Sequence, residues 1–79
     1  MAIEYKKNQA KFIDVVSIDE TEALVEWLQS KNNIKIDLAS CSHLHSAILQ
    51  VLIAVQVRIA FWPRDANLRA WLESVLKSN

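Results

Sequence analysis

From Ser46 to Val55 the chain reads Ser-Ala-Ile-Leu-Gln-Val-Leu-Ile-Ala-Val, with Gln50 the one polar side chain after Ser46. A helix of this composition is apolar nearly all round, so it must be covered on more than one side. The residues before it narrow the choice further. Ile34 to Leu38 alternates apolar residues with Lys35 and Asp37, which reads as a strand. Between the two lies a polar loop, Ala39-Ser40-Cys41-Ser42-His43-Leu44-His45, ending at Ser46. Both histidines and the single cysteine fall in that loop. A strand, a polar loop and a buried helix in succession point to an α/β domain with its chemistry at one turn.

The remaining segments fit the same plan. Ala2 to Tyr5 and Lys11 to Val16 read as two strands around Lys6-Lys7-Asn8-Gln9, the second carrying Phe12, Ile13, Val15 and Val16. Ser17-Ile18-Asp19-Glu20 has the form of a capping box, and Leu24, Trp27 and Leu28 recur at helical spacing behind it. That helix is expected to end near Lys31. Arg58 to Phe61 forms the next strand, stopped by Pro63, and Asp65 can cap a last helix. In it Leu68, Trp71, Leu72, Val75 and Leu76 mark one apolar face. The order is β-β-α-β-α-β-α. Strands separated by helices imply crossovers onto a mixed four-stranded sheet, giving a small two-layer α/β domain over residues 1–79.

Composition removes several classes of function. Nine basic and nine acidic residues cancel, whereas a nucleic-acid binder usually gathers a basic excess on one face. Lys6, Lys7 and Lys11 cluster, yet Glu4 and Asp14 sit among them, so a solvated hairpin tip is the expected reading. The chain has no glycine. A phosphate-cradling loop, which needs backbone close to the anion, is therefore excluded. The longest apolar run is interrupted by Gln50 and Gln56 and falls short of the ~20 residues that span a bilayer. One cysteine and a polar start, Met1 to Lys7, point to a reducing cytoplasm without membrane insertion.

Cys41, His43 and His45 stand two apart, so an extended loop projects all three to one side. Zinc would need a fourth ligand, for which Asp37 is the nearby candidate. A Cys–His nucleophile would need a lowered thiol pKa and a substrate cleft, and a chain this small offers little room for one. The simpler expectation is a small buried thiol beside two surface imidazoles, with no cofactor and no catalysis. Ser46 reads most simply as the N-cap of the apolar helix. Trp27 and Trp71 fall on core faces. Trp62, where a strand leaves the sheet, suits either burial or an interface anchor. Leu44, Ile48 and Trp62 are then expected to form an exposed apolar patch, because the helix is greasier than one sheet face requires.

The run Ile36-Asp37-Leu38-Ala39-Ser40-Cys41-Ser42-His43-Leu44-His45-Ser46-Ala47-Ile48-Leu49-Gln50-Val51-Leu52-Ile53-Ala54 resembles the STAS domain. That is the fold of bacterial anti-sigma factor antagonists, also attached to sulfate transporters and found in a lipid-trafficking transporter subunit. The resemblance is best from Ser17 to Leu76. The family typically shows a hydrophobic-Asp-Leu-Ser strand, a hydrophobic-Asp-Ser/Thr-Ser/Ala-Gly-Leu turn and an aliphatic helix. Here His45 stands at the aspartate position, Ala47 at that of the phosphorylatable serine and Ile48 at that of the glycine. The link from the aliphatic helix to the next strand is several residues shorter than usual. The resemblance thus implies the family's partner surface without its usual phosphorylation, with Ser46 as an alternative modified residue.

The expected function is a non-catalytic, bacterial interaction domain. Its partner, by the resemblance, is an anti-sigma factor or serine kinase, a chemosensory component or a transporter ATPase. The expected contact residues are His43, Leu44, His45, Ser46, Ile48 and Trp62. A homo-oligomeric scaffold (a homodimer at its simplest) is the alternative, and a Cys/His metal or thiol site is a third.

Overall fold

The computed structural model describes residues 2–31 and 33–76. Its elements are β1 (Ile3–Tyr5), β2 (Gln9–Val16), a 3-10 turn (Ile18–Glu20), α1 (Thr21–Gln29), β3 (Lys35–Leu44), α2 (Ser46–Val55), β4 (Arg58–Phe61) and α3 (Ala66–Leu76). The sheet runs β1-β2-β3-β4. β1 is antiparallel to β2, and β2, β3 and β4 are parallel. This is the mixed four-stranded α/β architecture expected from the order of apolar segments.

One face of the sheet and all three helices share a single core. Ile3, Ala10, Phe12, Val16, Ile36, Leu38, Cys41 and Leu44 come from the strands. Leu24 and Leu28 of α1, Ile48, Leu49 and Leu52 of α2, and Leu68 and Leu72 of α3 close over them. Tyr5 packs against Trp27 with its ring tilted by 47° at a centroid distance of 5.1 Å, tying the short β1 to α1. The other face is open. There Glu4, Lys11, Asp37 and Phe61 lie in one cross-strand register row, and none of the four is buried.

Two irregularities reshape β3. Relative to β2, it takes an extra residue between Asp37 and Ser40 and another between Cys41 and His43. Each bulge resets the pleat, so inward residues fall at Ile36, Leu38, Cys41 and Leu44 instead of at every second position. Asp37 Oδ1 accepts the Ala39 N–H at 3.0 Å beside the first bulge. The strand expected to stop at Leu38 therefore continues to Leu44, and the expected loop shrinks to His45.

A chain without glycine must place other residues in left-handed conformations. Asp14, Asn33 and Gln56 do so, with φ of 53°, 55° and 59°. Gln56 closes α2, its N–H reaching the carbonyls of Leu52 and Ile53. Asn and Asp tolerate this region through local side-chain hydrogen bonds, whereas Gln holds it at a steric cost.

Of two expected caps, one is absent and one is present. Ser17 makes no side-chain cap, and the Glu20 carboxylate instead accepts the Ala2 N–H at 3.1 Å, which joins the start of β1 to the 3-10 turn. Asp65 does cap α3, accepting the Leu68 N–H at 3.0 Å.

Candidate functional site

β2 and β3 end side by side, and the His45 N–H donates to the Val16 carbonyl at 3.0 Å to close the pairing. One residue later α2 begins. Its N-cap is His45: the imidazole Nδ1 accepts the Ala47 N–H at 3.0 Å. Ser46, expected in that role, is the first helical residue and is exposed. An N-cap needs a short acceptor with extended backbone, and His45, at φ −63° and ψ 143°, supplies both through its near ring nitrogen.

The three residues expected to converge do not. Cys41 is buried, His43 is exposed and His45 is half-buried over its own helix. The bulge between Cys41 and His43 separates their directions. Burial pushes the Cys41 thiol up to about 11, with the Asp14 carboxylate adding to it and a backbone hydrogen bond at His43 opposing. Such a thiol is protonated at neutral pH, which is the wrong state for a nucleophile or a metal ligand. Among the described residues no three His, Cys, Asp or Glu side chains are grouped to hold a metal ion.

The expected apolar patch is also corrected. Leu44 is 1% exposed and Ile48 0%, because the second bulge turns Leu44 inward and Ile48 begins the buried stripe of α2. Neither can touch a partner directly. Trp62 is half-buried in a different place, a cleft it shares with Leu52, Val57, Ile59 and Leu76. The apolar surplus of α2 emerges at its C-terminal end, where Val55 is exposed, and not at its start.

What surrounds the exposed His43 is a different set of residues. Val15 pairs with His43 across β2 and β3 and is 54% exposed. Ile18, two residues beyond β2, is 55% exposed. On the other side β4 pairs only with Lys35, Ile36 and Asp37, so it leaves the second half of β3 without a strand neighbour. The start of α3 stands beside that half. Ser42 and His43 of β3 and Asp65, Asn67, Leu68 and Trp71 of the α3 segment enclose a cleft of about 390 Å³. Trp71, expected in the core, is 38% exposed there. Its neighbour Leu72 takes the inward position.

Val15, His43 and Trp71 thus form a continuous exposed strip at the carboxyl end of β2 and β3, with Ser42 and Asn67 as polar flanks. Open parallel sheets usually place their binding groups at this end. His43 and Ser46, singled out in the sequence, are exposed here, whereas Val15 and Trp71 have strand or helical spacing that reads as core, and Ile18 lies in a run that reads as a capping box. No protein-family model, curated protein or solved structure matches the chain.

Proposed function

We propose that the chain is a non-catalytic, STAS-like interaction domain of bacterial regulation that binds another protein across Val15, Ile18, Ser42, His43, Ser46 and Trp71. The observation that carries this reading is the exposed Val15–His43–Trp71 strip. Sixteen apolar residues among those described are buried in one core, yet a valine and an indole stay outside on either side of a histidine, which supports a contact surface there. Tryptophan is also the side chain most enriched at the energetic centre of interfaces. The strand, turn and helix motif from Ile36 to Ala54 supplies the family analogy. Its partner classes follow from that analogy: an anti-sigma factor or serine kinase, a chemosensory component or a transporter ATPase, acting in the cytoplasm. His45 at the aspartate position caps the helix, and Ser46 stays accessible as a modifiable hydroxyl.

The test is binding to a purified regulatory partner encoded beside this chain, measured calorimetrically. The double substitution Val15→Asp with Trp71→Ser should weaken binding by at least about tenfold, a loss of ~1.4 kcal/mol or more. Circular dichroism should stay close to wild type. Unchanged affinity in the folded variant rejects this surface.

A second reading, self-assembly as a scaffold, has one observation in its favour. β4 is an edge strand, and Phe61 at its end is exposed. Unprotected edges template pairing with another chain. Sedimentation across a range of concentrations separates the readings, since a stable dimer or ring favours this one.

A further inference from the structure

At the opposite end of the sheet the fold gathers charge that a net count of zero conceals. Gln9, Lys35 and Arg58 are register partners at the first positions of the parallel strands. The β1–β2 turn adds Lys6 and Lys7, and the residue after the α1 C-cap adds Lys31. All five cations are exposed, and none has an acidic partner within ion-pair distance among the described residues. Two adjoining clefts, of about 380 and 460 Å³, share Asn33 and Lys35. No acidic side chain lines either of them.

Complementing helix dipoles accounts for part of this charge. α1 and α2 both end at this edge, and each carbonyl terminus carries about half a negative charge. Together they offset roughly one cation of the five. The remainder is a surface with unmet positive charge. The chemistry of the first cleft is mixed, however: Leu28, Ile34, Val55 and Val57 floor it, and Val55 is exposed where the greasy α2 runs out. No aromatic residue lines either cleft, so the edge lacks the platforms on which unpaired bases stack.

We infer that this basic edge is a second docking surface, for an extended acidic peptide segment that alternates carboxylates with aliphatic side chains. The carboxylates face Lys6, Lys7, Lys31, Lys35 and Arg58, and an aliphatic side chain covers Val55. This surface is separate from the Val15–His43–Trp71 strip and does not depend on the role given to it.

The test uses the full chain and a fluorescein-labelled peptide of about eight alternating glutamate and leucine residues, with its glutamine–leucine counterpart as control. Anisotropy should show the acidic peptide binding at least about tenfold tighter than the neutral one at low salt, with most of that difference lost by ~0.5 M salt. Lys31→Glu with Lys35→Glu should abolish the preference, and Val55→Ser should weaken binding several-fold, both variants melting as wild type does. Equal binding to wild type and the charge-reversed variant overturns the proposal, as does no saturable binding. Tighter capture of a single-stranded oligonucleotide, or of vesicles rich in phosphatidylserine, assigns the edge to phosphate groups and also overturns it. So does salt-sensitive self-association that the same charge reversal removes, which would give the edge to the acidic pole of a second copy.

Discussion

The Ala47 N–H is one of four that the start of α2 leaves without a helical partner, and the Nδ1 lone pair of His45 takes it. His45→Ala should therefore cost about 1 kcal/mol in denaturant unfolding, and His45→Asp should retain most of that stability. Equal losses in both variants would mean that the ring matters for packing and not for the cap. Cys41 offers a second residue-scale check. Burial pushes its pKa up to about 11 in the folded chain, from an ordinary thiol value of 9.0. Because the folded value is the higher one, the stabilisation is complete below about pH 9 and is lost as pH rises towards 11. Cys41→Ala should flatten that alkaline slope. In the native protein at pH 8, iodoacetamide should modify Cys41 at least about tenfold more slowly than free cysteine. Fast modification would contradict its burial. The two residues were visible in the sequence as polar punctuation, but their roles depended on a pleat phase that spacing alone could not supply.

Among the elements, α2 was legible to its ends: Ser46–Val55 is both the aliphatic run and the helix. β4 and the Asp65 cap of α3 were equally plain, since Pro63 separates them. β3 was not. Ser40, Ser42 and His43 look like loop residues because alternation fails after Leu38, and it fails because two bulges each add a residue. An extra residue is a local backbone choice stabilised by the neighbouring strand, so it leaves no regular signature in composition. The error propagated. With the true phase, Leu44 and Ile48 enter the core, and Ile48→Ala should destabilise by about 2–5 kcal/mol through lost burial and a residual void. A cost below about 1 kcal/mol would show that Ile48 is outside after all. α3 misled in the opposite sense. It stands where β4 has already stopped, so Leu68 and Leu72 are buried while Trp71 turns outward.

For the whole molecule, the chain path sorts charge as well as hydrocarbon. α1 and α2 both run against the parallel strands, so their N-termini gather at the carboxyl edge of the sheet and their C-termini at the other. Asp19, Glu20 and Glu22 sit at the start of α1, and Lys31 just beyond its end. Opposite edges thereby acquire opposite sign, which nine acids and nine bases in a linear count could not reveal. Among the described residues no helix is long and apolar enough to cross a membrane. The molecule presents two different surfaces, an apolar and imidazole strip at the carboxyl edge and a basic cleft at the amino edge. The first of these carries the proposed function. Amide and indole chemical-shift mapping of the isotope-labelled chain, titrated with a purified protein of the proposed partner classes, tests it most directly. The largest shifts should fall on Val15, Ile18, Ser42, His43, Ser46 and the Trp71 indole. Shifts confined to β4 and the end of α2, with that strip unchanged, would contradict it.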